Sequence, residues 1–140
     1  MIDKGWTPKT EPELQQRVDQ LKLEIKSDMP VEKIVKMQLE VLMLASSLTT
    51  TIANARFYEA KKNAEARSAY TQSFLSAEGS DRKRDASAKA ASEVRVAESI
   101  AFEAEVTRKL LEDYKEDLVA IHYSVRSMLR DRTEERKYQY

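Results

Sequence analysis

Cysteine is absent from the 140 residues, and with it go disulfides, thiolate metal sites and a cysteine nucleophile. That leaves the redox compartment open, although it is compatible with a reducing cytosol. Glycine occurs twice and proline three times. All three prolines, Pro8, Pro12 and Pro30, fall in the first thirty positions, so beyond Val31 Gly79 is the sole obvious backbone breaker. A sandwich, a barrel or an α/β sheet needs frequent turn residues and is excluded on that ground. Histidine occurs once, at His122, so no histidine pair and no serine–histidine couple with a second imidazole can be assembled. Net charge is also missing: 24 Lys and Arg balance 24 Asp and Glu, which argues against bulk electrostatic capture of nucleic acid. No apolar run approaches the roughly 18 residues of a membrane span, and Met1-Ile2-Asp3-Lys4-Gly5-Trp6 does not read as a secretory signal. The expectation is a cytoplasmic protein with no membrane segment.

The residues present point to helix. Apolar residues make up 41% of the chain, but 16 of them are Ala, which buries little surface, so a thin, elongated helical body of one domain is expected rather than a thick core. Residues 1 to 10 lack periodicity and read as an extended arm. Thr10-Glu11-Pro12-Glu13 forms a capping box with proline in the first turn. Leu14, Val18, Leu21 and Ile25 then mark a short amphipathic helix over 11–27, ended near Ser27-Asp28 by Pro30.

A second helix is predicted over 30–77, with a seam of Ile34, Met37, Val41, Leu44, Leu48, Thr51, Ala55 and Tyr58 that Leu42, Ala45 and Ile52 widen. Gly79 supplies the stop, and Ser80 or Asp81 caps a third helix over 81–137. Its seam is Ala97, Ile100, Ala104, Thr107, Leu111, Tyr114, Leu118, Ile121, Val125 and Met128. Folding back at Gly79 sets Leu48 opposite Leu111, Val41 opposite Leu118 and Ile34 opposite Val125, with Ala60–Ala69 facing Ala86–Ala101. The expected fold is an all-α, long antiparallel helical hairpin, coiled-coil-like, whose open end becomes a three-helix bundle with residues 14 to 25. Phe57, Phe74, Val96 and Phe102 lie on second faces of the long helices, so a homo-oligomer is expected to bury them; the bland reading is scattered surface residues on a monomer.

Candidate sites are few. His122 follows the seam residue Ile121 and reads as a packing flank. The carboxylates Glu98, Glu103, Glu105, Glu112, Asp113, Glu116 and Asp117 lack the helical Glu-x-x-His pattern of a metal bundle and read as a solvated face. Arg82, Lys83 and Arg84, with Lys61, Lys62 and Arg67, form a candidate basic patch for phosphates or a protein partner, set against a solvated helix start offset by Asp81 and Asp85. Near the end of the chain, Arg126, Arg130 and Tyr138 combine arginine and aromatic character suited to stacking on bases or to a partner, while Asp131 with Arg136 and Glu134 with Lys137 are spaced for an ordinary exposed helix. Trp6 either docks on a partner or folds back on its own bundle. Phosphate loops, nucleophile elbows and zinc signatures are all missing, so no enzyme, cofactor, metal or small-molecule substrate is expected.

The run Tyr123-Ser124-Val125-Arg126-Ser127-Met128-Leu129-Arg130-Asp131-Arg132-Thr133-Glu134-Glu135 resembles the C-terminal signature of small all-helical proteins encoded by many tailed phages. The resemblance covers roughly residues 45 to 137 and leaves the first helix and the Trp6 arm outside. It implies a gene neighbourhood of recombination or DNA replication and a host-cell cytoplasmic setting, and transfers no catalytic residue. The function this implies is a non-enzymatic accessory protein, scaffolding through its helices and binding a recombination or replication protein or DNA. The alternative is a protein-directed inhibitor or adaptor, such as an anti-defence factor, that binds no nucleic acid.

Overall fold

A computed structural model describes residues 2–9, 11–25 and 28–138, without the side chains of 136–138. Among the described residues the chain is all-α and without strands: α1 Pro12–Glu24, α2 Val31–Ser76, α3 Asp81–Ala90 and α4 Ser92–Tyr138. The long helix α2 packs against α4 as a helical hairpin. The chain divides into two compact units. One comprises Met1–Pro8 with Ile52–Leu110, the other Lys9–Thr51 with Leu111–Tyr140.

The second of these units brings together α1, the first part of α2 and the last part of α4. Its core is Val18 and Leu21 of α1, Ile34, Met37, Val41 and Leu48 of α2, and Leu111, Tyr114, Leu118, Ile121 and Val125 of α4, all buried, with Met29 closing the α1–α2 connection. These positions recur at steps of three and four, which keeps them on one side of each helix. The three pairs expected from the fold-back, Leu48 with Leu111, Val41 with Leu118 and Ile34 with Val125, are six buried side chains of this one unit. Ion pairs rim it. Arg17 clamps both carboxylate oxygens of Glu40 and reaches Glu24 at 3.3 Å, while Lys22 Nζ lies 2.8 Å from Asp117. The Arg17 hydrogen bond holds the Glu40 carboxyl below its ordinary range. Such partly exposed pairs contribute up to about 1 kcal/mol each, against about 1.5–3 kcal/mol for each fully buried Val, Leu or Ile, so apolar burial carries the stability and the ion pairs refine orientation.

In the other unit the core is thinner: Ile52, Ala55, Ala88, Val94, Ala101 and Ala104. Most of these buried side chains are small, and the antiparallel sense of α2 and α4 shows in Glu59 pairing with Arg108 while Arg67 and Tyr70 share a groove with Glu98 and Phe102. Asn54, the one buried polar side chain among the described residues, accepts the Asp3 backbone N–H at 2.8 Å.

Several boundaries differ from the sequence expectation. α1 ends at Glu24, short of residue 27; its N-cap is Glu11, with no side-chain cap bond. The Thr10 cap and Ser27 lie outside the described residues. Ser80 does cap α3, accepting the Lys83 N–H at 3.4 Å. Gly79 adopts φ +109°, but three residues past the end of α2, so it shapes the bend rather than capping the helix.

The larger correction is at Ala91. One helix over 81–137 is predicted, yet Ala91 is extended, at φ −61° and ψ 132°, and separates α3 from α4. The reason lies in burial. Ala88 and Val94 are both fully buried, but six residues along an unbroken helix rotate by about 240°, so one helix would turn one of the pair outward. A single extended residue resets the phase. The seam also differs within α4: Ala101 is buried where Ile100 is expected, Ile100 is 36% exposed, and Thr107 is only half-buried beside Arg108. In α2, Leu44, Thr51 and Tyr58 are half-buried and Ile52 is buried, while Leu42 is exposed. A strict reflection about Gly79 sets Glu59 against Ile100; the structure sets it against Arg108, two turns further along.

Two substitutions test these statements by urea denaturation. Leu118→Ala, at a fully buried site, is expected to cost about 2–5 kcal/mol. Gly79→Ala is expected to cost about 1–2 kcal/mol, because its backbone has positive φ and a Cβ there lies 3.2 Å from Lys83 Cδ.

Candidate functional site

The expected basic patch is spread out rather than gathered. Arg82 and Lys83 are exposed in the first turn of α3 behind Ser80 and Asp81. Arg84 is half-buried, and its Nε is buried with no hydrogen-bond partner among the described residues. On α2, Arg67 stands nine residues and Lys62 fourteen residues before Ser76, about 14 and 21 Å along the axis. Lys62 is engaged, 3.0 Å from Glu65 and with its ammonium 5.3 Å above the Tyr58 ring. Lys61 is exposed, and Arg67 borders a groove that also carries Glu98 and Glu105. Phosphate binding needs cations that converge; Lys61, Lys62 and Arg67 lie on α2 with Glu59 and Glu65 among them, and Arg82, Lys83 and Arg84 lie on α3 between Asp81 and Asp85.

Between α2 and α3, the Tyr70 hydroxyl donates to Asp85, which also lies 3.1 Å from Lys89 Nζ. The hydrogen bond from Tyr70, then that from Lys89, holds the Asp85 carboxyl below its ordinary value, and the same bond pushes Tyr70 up. Phe74 stacks on Tyr70 at 6.1 Å.

Trp6 folds back on its own chain. Its ring meets Tyr58 edge-on, with centroids 5.8 Å apart and an interplanar angle of 76°, while Asp3 anchors the arm on Asn54. The arm is itself a turn, with Gly5 N–H donating to Asp3 Oδ1 at 2.9 Å and Trp6 N–H to the Asp3 carbonyl at 3.2 Å. Of the residues expected to meet a partner, Phe102 is 64% and Phe57 36% exposed, Arg126 and Arg130 are exposed, and Phe74 is half-buried. The Tyr138 side chain, and the pairings of Arg136 and Lys137, lie outside the described residues.

Phe102 does not stand alone. Val96, Ile100, Val106 and Leu110 share the outward side of α4 with it, each 36–64% exposed. The spacing 102, 106, 110 repeats every four residues, and 96 and 100 join from the turn below, forming an apolar stripe roughly opposite the buried seam. A shallow groove beside it is lined by Pro8, Tyr58, Ile100, Ala104 and Val106, with Glu103 at its edge. Sequence reasoning singled out Phe102 and Val96 but assigned Ile100 to the buried seam. It also missed the outer face of α2, where Val35, Leu39, Leu42 and Met43 are 40–73% exposed. The signal for that face is present: fifteen consecutive residues, Val41 to Ala55, carry no charge in a chain that is 34% charged.

His122 is half-buried, its ring 5.8 Å from that of Tyr123, and its Nδ1 has no partner among the described residues. Among those residues no three His, Asp or Glu side chains gather as a metal set, and no helix is long and apolar enough to cross a membrane.

The Tyr70–Asp85 link has a measurable pH signature. Asp85's folded value is depressed, so the link contributes above the ordinary carboxylate range and is lost as pH falls through that lowered value. Tyr70's folded value is raised, so its contribution is present below its ordinary value and is lost as pH rises. In Tyr70→Phe, carboxyl carbon NMR is expected to show Asp85 titrating closer to its ordinary value, with Lys89 retaining part of the depression.

Compared with known proteins, the chain matches no family model, no curated protein and no solved structure.

Proposed function

We propose that this chain is a non-enzymatic helical scaffold that binds a protein partner through the outward stripe of α4. The observation that carries the reading is the row Val96, Ile100, Phe102, Val106 and Leu110, each more than a third exposed on one side of a helix whose other side is already buried. Surface apolar residues scattered singly need no explanation, but five on one helical side across fifteen positions, with Glu103 among them, form a stripe of the kind that partners cover. The tailed-phage likeness of the run Val125 to Glu135 supports a partner from recombination or replication machinery in a host-cell cytoplasm. Direct DNA binding is the less favoured reading, because Lys62 is tied to Glu65 and Arg67 shares its groove with Glu98 and Glu105.

Affinity capture from phage-infected cell lysate with three forms of the full chain tests this. The wild type and the triple variant Arg82→Glu, Lys83→Glu, Arg84→Glu are expected to retain the same protein, and Phe102→Glu with Val106→Glu to lose it. Gel shifts with single- and double-stranded DNA at low and high salt complete the test. A salt-sensitive shift abolished by the triple variant, together with capture indifferent to Phe102 and Val106, overturns the proposal in favour of the basic segment.

A further inference from the structure

The arm belongs to the same compact unit as the α4 stripe and reaches the groove beside it. Pro8 lines that groove together with Tyr58 of α2 and with Ile100, Phe102 and Val106 of the stripe. Two contacts anchor the arm, and both are on α2: the Asp3 N–H donates to Asn54 Oδ1 at 2.8 Å, and Trp6 meets the Tyr58 ring edge-on at 5.8 Å. Asn54 and Tyr58 stand four residues apart, one above the other on one side of the helix. A neutral hydrogen bond and a single aromatic pair are interactions of modest strength. None of residues 2–8 is buried; Trp6 and Pro8 are half-buried and Ile2 is 49% exposed.

We propose that residues 2–8 form a strap over apolar ground at Tyr58 that the protein partner takes on docking, so that binding at the α4 stripe displaces the arm. This rests on the reading of that stripe as the partner surface and supplies its regulation. The chemistry of the arm is that of a rival: Ile2, Trp6 and Pro8 bring the same apolar character to the groove as an incoming partner does. The space agrees. With the arm in place the groove measures about 340 Å³, less than the roughly 400 Å³ that one turn of an α-helix fills. It takes one or two large side chains, and a chain entering from the stripe meets Pro8 before it can cover Tyr58. Phe102 and Val106, 64 and 48% exposed, stay open as the landing point while the strap is closed. Displacement forfeits the Asn54 and Tyr58 contacts, so the apparent affinity of the partner is its intrinsic affinity scaled by the fraction of molecules whose strap is open. Loosening the strap therefore tightens binding.

Trp6 is the sole tryptophan, so its fluorescence reports the arm directly. The probe for the groove is Nile red, an apolar dye without charge that Glu103 does not repel. Two variants of the full chain loosen the strap by different routes: Trp6→Ala removes the ring, and Asp3→Pro removes the N–H given to Asn54. Each is expected to bind the dye at least about fivefold more tightly than the wild type, with unchanged far-ultraviolet circular dichroism. Adding Phe102→Glu with Val106→Glu should abolish that gain. In Asp3→Pro, Trp6 emission should move to longer wavelength and become more accessible to acrylamide, and saturating dye should move wild-type emission the same way. Equal or weaker dye binding in both arm variants makes the arm a fixed wall of the groove and overturns the proposal, as does a gain that survives Phe102→Glu with Val106→Glu. The two readings fail separately. Unchanged dye binding in the arm variants removes the strap while capture through Phe102 and Val106 stands, whereas capture indifferent to those two residues removes the partner, and the strap with it.

Discussion

Burial of Ile34 and Val41 on α2 together with Leu118 and Val125 on α4, each at most 1% exposed, sets the rotational phase of both long helices. Once those side chains point inward, the directions of their neighbours within the same unit follow from the helical repeat. Val35, Leu39 and Met43 are then turned outward, and burial of Val18 and Leu21 does the same for α1, leaving Arg17 on the side that reaches Glu40 and Lys22 on the side that reaches Asp117. The ion pairs cannot set this phase themselves. At up to about 1 kcal/mol each, partly exposed pairs are outweighed by even one misplaced Leu.

How much of this was readable in advance depended on whether the signal was local. The seam from Leu111 to Val125 was legible because large apolar residues at strict steps of three and four have one plausible side to bury. Ser80 as a cap, and the ends of α2 within a residue, were legible because capping and helix-breaking residues act on their immediate neighbours. The break at Ala91 was not. Alanine is the best helix former, and nothing within a turn of it announces an interruption. Its cause is the joint burial of Ala88 and Val94 against a partner helix, which is a tertiary demand. The two-turn offset that joins Glu59 to Arg108 is likewise marked by no local residue.

The candidate surfaces divide similarly. Phe102 was legible as an apolar residue off the seam, but the full extent of its stripe required knowing that Ile100 turns outward and Ala101 inward. The basic residues were legible as a composition, not as an arrangement. Residues adjacent in a tally are strung along α2 and the start of α3, and part of their charge is already spent on Glu65. Trp6 illustrates the opposite case. Its arm has no periodicity to read, yet one backbone hydrogen bond to Asn54 and one edge-on ring contact with Tyr58 hold it.

The extended residue at Ala91 also cuts a ladder. Helical cooperativity passes from turn to turn through the i to i−4 bonds; at the junction Ala91 N–H turns back to the Ala88 carbonyl, while Arg95 N–H to the Ala91 carbonyl opens α4. The ten residues of α3 are too few to stand as an isolated helix in water, so their order is borrowed from Ala88 and from the Tyr70–Asp85 link rather than inherited from α4. Amide protons of α3 therefore exchange through openings of their own, at lower free energy than those of the buried stretch Leu111–Val125, and melting of this short segment stops at Ala91 instead of unzipping its longer neighbour.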